Sequence, residues 1–217
     1  MKRISVAGQD GSGKSTLCAS LNAAIPNSSI QYAGKNRSHL FELSPYALQL
    51  LDKSKEVSSL LGLIVKHTIF YPIEYIENRM RFSLGKSITD HVKIYDRHPI
   101  DRSVGRHSLQ LKRAQRQIPW LHFVLRFPAA YFWDFLYRFT FPRIDCVYIL
   151  LPEPEIAFTR SKGQYKTVLE AEIRRIAYER AAKSWAKRQK IVILEVFSQT
   201  TVEELSQSIL HNLLSKN

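Results

Sequence analysis

The octapeptide GQDGSGKS at residues 8–15 limits what this chain can fold into more than any other feature. It satisfies G-x-x-x-x-G-K-[ST] without a mismatch, and its surroundings suit that pattern. A short β-prone run at residues 4–7 leads into it. From residue 14 to 24 the pattern turns helical, with Leu17, Leu21 and Ala24 on one face. Glycine lets a backbone wrap closely around phosphate oxygens, and the amides of such a loop point inward as an anion nest. The helix that follows adds its positive dipole end. Gly8, Gly11, Ser12 and Gly13 are therefore expected to form the cup. Lys14 is expected to reach the β- and γ-phosphates, Ser15 to ligate Mg²⁺ through its hydroxyl, and Thr16 to lie nearer the α-phosphate. The ligand class is a nucleoside triphosphate, with ATP and Mg²⁺ as the expected cofactors.

Beyond the loop, strands are predicted at residues 28–34, 92–96, 146–151 and 191–196. They are continuously apolar rather than alternating, as in strands covered on both faces. Helical stretches are predicted at 44–53, at 57–82 with a kink at Pro72, at 167–188 and at 201–214. Strands separated by helices imply a parallel sheet with helices on both sides, hence one α/β domain over residues 1–217. One stretch breaks the alternation: residues 118–142 hold ten aromatics among 25 positions. Charged residues recur through it, which excludes a lipid-spanning helix. Pro128 is expected to split it into two short helices within a helical insertion at about 107–143. The segment reads either as a packed insertion or as a contact surface for a membrane or partner protein.

Thirty-two basic side chains against 19 acidic leave a net charge of +13, a field that attracts polyanions such as ATP or an anionic membrane. No specific nucleic-acid motif accompanies it. Two cysteines, Cys18 and Cys146, make no disulfide scaffold and no metal-ligand spacing. The opening MKRISVAGQDG does not read as a signal peptide, and no long uncharged apolar run is present, so a cytoplasmic protein is expected.

Guanine recognition of the GTPase type needs N-K-x-D, which is absent. The chain is too short for the added modules of a motor or transporter, leaving a small-molecule kinase. In order and spacing, GQDGSGKST (8–16), IYDRH (94–98), YILLPEPEIAFTRSKG (148–163) and ILEVFSQTTVEEL (193–205) resemble the thymidylate kinase-like family. The resemblance implies the three-layer P-loop kinase fold, with the aromatic-rich helical insertion as an addition. It places Asp10 facing the phosphate acceptor. It makes Asp96 and Arg97 the family's Asp-Arg pair, with Asp96 holding Mg²⁺ through water or steering the acceptor oxygen and Arg97 clamping the acceptor phosphate or the transferring group. It sets a lid at about 159–167, where Arg160, Lys162 and Lys166 neutralise charge, Arg160 also packing on adenine. Residues 198–200 are implied at the edge of the adenine pocket; a helix N-cap at Thr200 or Thr201 is the other reading. Family relatives are often homodimers, so a second copy is an implied partner.

The substrate half departs from the family pattern. After the second strand stands YAGKNRSHLF (32–41), where Lys35 and Arg37 are candidate anion contacts. Arg79, with Arg81 as rival, lies where the family carries a substrate-binding arginine, and His98 stands where an aromatic is usual. Asp101, Arg102 and Arg106 form a polar cluster without a family counterpart. The leading expectation is transfer of the γ-phosphoryl of ATP to a small acceptor, a dTMP-like nucleoside monophosphate favoured. The alternatives are a sugar or glycan acceptor, as suggested for relatives linked to cell-surface polysaccharide genes, and an ATP-binding regulatory protein with little turnover. Peripheral contact with a membrane's inner face through 118–142 stays open beside them.

Overall fold

In the computed structural model, residues 2–32, 43–84, 92–161 and 163–214 are described. The strands are β1 (Lys2–Gly8), β2 (Ser28–Tyr32), β3 (Val92–Asp96), β4 (Cys146–Pro152) and β5 (Lys190–Val196). Every pairing among them is parallel, in the order β2-β3-β1-β4-β5. β1 is central, with β3 on one side and β4 on the other. The chain therefore reverses its direction of winding about β1, and the crevice for a ligand lies outside that strand's carboxyl end. The pairing register sets Val6 beside Asp96 and Gly8 beside Leu150. It thereby brings the glycine loop and the Asp96-Arg97 pair to one edge.

Alternation along the strands feeds two cores. Ile4, Val6, Tyr148 and Leu150 face α1 (Lys14–Ala24) and α9 (Val202–Leu214), meeting Leu17, Leu21 and Ile209. Ala7, Tyr95, Val147 and Ile149 face the other way, against α5 (Ile100–Ala114) and α8 (Val168–Trp185). The result is three layers, helix–sheet–helix. Each fully buried aliphatic side chain contributes roughly 1.5–3 kcal/mol, so strands apolar on both faces are stable only when both helical layers form.

The helices between residues 43 and 140 differ from the expected ones in informative ways. The predicted helix at 57–82 is divided: α2 (Leu43–Val57) and α3 (Ser59–Val65) precede a π turn at Lys66–Phe70, and α4 (Tyr71–Leu84) follows. The widened turn falls just before Pro72, whose missing N–H leaves an α-helical bond unmade. The expected start of the insertion near 107 falls inside α5, which begins at Ile100. Ile100, Val104 and Leu111 of α5 are buried in the main core. Pro128 does not split its segment, since α6 (Trp120–Thr140) runs unbroken through it. Helix-interior proline costs about 3 kcal/mol. Here burial of Trp133 and Tyr137 and an internal ion cluster oppose that cost. Asp134, with no exposed surface, meets Arg106 Nε at 2.7 Å and Arg138 at 3.5 Å, and it accepts from Ser103. α7 (Pro154–Arg160) completes the set. Among the described residues no helix is long and apolar enough to cross a membrane. Both cysteines are free and buried.

Candidate active site

The glycine loop turns directly from β1 into α1. Gly8 has φ 143°, and a Cβ there would sit 2.3 Å from the Leu150 carbonyl oxygen of β4, so no side chain fits. Gly11 has φ 81°, and a Cβ would come within 2.9 Å of the Arg160 backbone. The end of α7 thus packs on the loop. Gly13 precedes α1 without any side chain capping the helix's first amides. Those donors are the orphan N–H groups a phosphate satisfies. Gln9 anchors the loop from behind, its amide donating to the Ala171 carbonyl of α8 at 2.7 Å.

Lys14 is buried and folded back on the loop, where its ammonium donates to the Gln9 carbonyl and lies 3.4 Å from Ser12 Oγ. Burial, and after it the neighbouring Arg97 charge, pushes its pKa down to about 8. Incoming phosphate oxygens would relieve both effects. Ser15 Oγ donates to Asp96 Oδ2 at 2.7 Å, while Asp96 Oδ1 is buried without a hydrogen-bond partner. A hydroxyl beside a carboxylate with one unsatisfied oxygen, at the mouth of a phosphate nest, is a donor set that fits Mg²⁺. Among the described residues no group of three or more His, Cys, Asp or Glu could hold a metal, so the remaining ligands there would be phosphate and water. Thr16 is exposed one position along α1.

Arg97 stands at the end of β3 with φ 92°, a conformation non-glycine residues seldom adopt. Its N–H donates to the Val6 carbonyl and its own carbonyl accepts from Ser5 Oγ, both at 2.9 Å. That pinning swings the guanidinium over the loop, 3.4 Å from Asp10 and 3.7 Å from Asp101. Burial opposes its charge, yet Asp101 and Asp10 more than offset that and raise its pKa above the ordinary arginine value. Asp10 and Arg97 together open onto a cavity of about 450 Å³.

The walls of this cavity come from elements whose roles the sequence did not disclose. Glu74, Asn78 and Phe82 project from one face of α4, and Arg102 of α5 makes an ion pair with Glu74. Arg174 of α8 also lines it, stacked 5.6 Å from the Tyr178 ring. Burial opposes the Arg174 charge, but Tyr178, Asp101 and Asp10 raise its pKa. The Tyr178 hydroxyl lies 2.7 Å from both the Gly8 carbonyl and Asp101 Oδ1, linking α8 to the loop and to α5. Arg174 sits beside Arg175 in a helical pattern, and only packing tells them apart. Arg175 turns outward to Glu179 and Glu195.

Of two expected contacts, Arg79 lies away from the cavity and His98 lines it. Arg79 is exposed and donates to Tyr75 Oη at 3.0 Å; α4 turns 74, 78 and 82 to the cavity, so residue 79 lies about 100° round the helix. The Arg81 side chain lies outside the described residues. His98 contributes only wall. It is 3% exposed, Nδ1 accepts from the Ile100 N–H at 3.0 Å, and Nε2 meets the Gln189 amide at 3.0 Å. Burial drives its pKa to about 3, leaving it neutral. Lys35, Arg37 and Lys162 lie outside the described residues. Arg160 ends α7 exposed, its backbone against Gly11. Thr167 caps α8 by accepting from the Glu170 N–H at 3.2 Å. Near the other edge Thr201, not Thr200, caps α9. It exchanges bonds with Glu204 at 3.0 and 3.2 Å, while Thr200 Oγ1 accepts from Phe197.

Together the sheet order, the glycine loop and the Asp-Arg strand end define a three-layer α/β fold of the P-loop kinase type. Solved structures of deoxyadenosine kinase from M. mycoides share that fold. The form with dCMP and a flexible dCDP matches at TM-score 0.57 and 16% identity, over 98% of this chain and 99% of that one. The dCTP complex matches at 0.56 and 17%, and the dATP complex at 0.56 and 16%, each with the same coverage. At such identity the likeness is one of fold, which does not by itself carry a substrate. No protein-family model and no curated protein matches the chain.

Proposed function

We propose that this chain is an ATP-dependent phosphotransferase that moves the γ-phosphoryl group to a small acceptor in the 450 Å³ cavity. The observation that carries the reading is the convergence, at one sheet edge, of the Ser15–Asp96 pair with the Asp10–Arg97 pair. Ser15 and Asp96 would hold Mg²⁺, which when bound neutralises phosphate charge. Lys14 grips the outer phosphates, and the first amides of α1 fix the chain of phosphates in line with the cavity. Asp10 accepts the proton-bearing side of the acceptor and orients its oxygen. Arg97, held charged by its two carboxylates, faces the transferring group, with Arg160 and the lid closing above. Positioning and electrostatics supply nearly all the rate enhancement in such a reaction.

A nucleoside or nucleoside monophosphate is the favoured acceptor. The neighbouring folds bind deoxynucleotides, and Arg174 and Arg97 at the cavity suit an acceptor phosphate such as that of dTMP. A coupled ADP-release screen over deoxyadenosine, thymidine, dTMP, other nucleoside monophosphates and phosphosugars tests the reading. Turnover confined to phosphosugars moves the acceptor to the glycan class, and ATP binding without turnover leaves a regulatory binder. The exposed face of α6, with Trp120, Leu121, Leu125, Phe132, Phe135 and Phe139, supports a peripheral contact with an anionic membrane surface. A homodimer through the same face is the rival occupant.

A further inference from the structure

Beside the acceptor cavity lies another of about 510 Å³, between the π turn, α5 and α6. Tyr71, Asp101, Arg102 and Gly105 line both, so the two adjoin. Each falls within the roughly 300–1,000 Å³ usual for small-molecule sites. An acceptor filling the first leaves the second available to whatever extends from its far end.

The charge lining this chamber is one-sided. Lys66, Arg102, Arg106 and Arg126 border it against the single carboxylate of Asp101. Three of these five groups are already engaged: Arg102 with Glu74, Arg106 with Asp134, and Asp101 with Arg97. No carboxylate among the described residues pairs with Lys66 or Arg126. Lys66 instead hangs 5.3 Å from the Tyr71 ring. His67 reports the resulting field. Its Nδ1 is buried without a partner, and its ring stands edge-on to Tyr71 at 5.0 Å. Burial first, then Lys66, Arg102 and Arg126, push its pKa down to about 4. Cations from the π turn, α5 and α6 thus border one ring, and two of them, Lys66 and Arg126, have no carboxylate partner among the described residues. Tyr71 and Trp133 supply flat apolar walls beside them.

We infer that this chamber is an anion subsite, in which Lys66 and Arg126 bind a phosphate-type group carried by the acceptor at the end remote from its reacting oxygen. The inference rests on the phosphotransferase reading for the acceptor's orientation; the anion site itself stands on the chamber. It adds a substrate class to that reading: acceptors bearing a second, distal anionic group beyond a ring or short apolar stem.

The test follows the His67 ring protons by NMR while inorganic pyrophosphate is added to the full chain. One arm has the glycine loop saturated with the β,γ-imido analogue of ATP; the other uses Lys14→Ala without nucleotide. Pyrophosphate is expected to bind saturably in both arms and to raise the His67 pKa by about 1–3, as an opposite charge within a few ångströms does. Lys66→Gln with Arg126→Gln is expected to weaken that binding at least about tenfold while thermal melting stays at the parent value. No saturable shift, or equal affinity in the double variant, overturns the inference. An analogue that fails to bind counts against the phosphotransferase reading instead, and the Lys14→Ala arm still judges the chamber.

Discussion

Titrating ATP affinity against pH examines the proposed nucleotide site through its buried cation, Lys14. In the free protein Lys14 has a pKa of about 8 against an ordinary 10.5, lowered first by burial and next by Arg97. Bound phosphates restore at least the ordinary value. The difference of about 2.5, at about 1.4 kcal/mol for each, makes roughly 3 kcal/mol of binding energy dependent on that proton. The folded, free state loses its proton first, so binding takes up protons between pH 8 and 10.5 and weakens as pH rises. Linkage gives about fifteenfold loss of affinity from pH 8 to 9.5, and uptake of about 0.9 proton at pH 9. Calorimetry in buffers of different ionisation enthalpy measures both quantities. Lys14→Arg, charged throughout, should give weaker but flat binding over the same range. A flat profile for the parent protein would refute the claim that Lys14 waits desolvated in the loop.

Other consequences are open to direct measurement. Asp10→Asn should abolish transfer while ATP affinity holds within about threefold, since the pair with Arg97 is partly exposed; unchanged turnover removes Asp10 from the mechanism. Gly11→Ala places a Cβ against the Arg160 and Ser161 backbone, and at φ 81° it adds strain of about 1–2 kcal/mol. ATP affinity should drop, and thermal melting with and without ATP reads the loss. Asp134→Ala strips Arg106 and Arg138 of their buried partner and should cost about 3–5 kcal/mol. For a chain of this size that is a fall in melting temperature on the order of 10 °C. Replacing Trp120, Phe132 and Phe135 by serine should abolish flotation with anionic vesicles. If the parent protein does not float, the face belongs to another partner, and sedimentation velocity shows whether a second copy covers it.

Much of the fold could be read from local pattern. β4, buried on both faces, is a continuous apolar run in the sequence, so that strand announced itself. The helix of the glycine loop followed from fixed spacing. α5 was harder, because Asp101, Arg102, Arg106 and Arg113 crowd a segment whose buried apolar positions are only Ile100, Val104 and Leu111. Their spacing of four and seven was the available signal. Pro128 misled for the opposite reason: a strong local rule was overridden by the buried Asp134 cluster, which joins residues about 30 positions apart. The helix predicted at 57–82 likewise ended up divided at a turn widened before Pro72.

Sequence alone determined the glycine loop between strand and helix, because such a loop depends on residues contiguous in the chain, and it singled out Asp96-Arg97 as the strand end beside it. Tertiary structure decided everything that depends on which way a side chain turns. It sent Arg174 inward and Arg175 outward, turned Arg79 away from the cavity, sealed His98 among protein partners, and set Lys66 and Arg126 round a chamber they reach from different helices. One residue along a helix rotates a side chain by about 100°, so a shift too small to alter composition or spacing decides whether a charge meets ligand, protein or water.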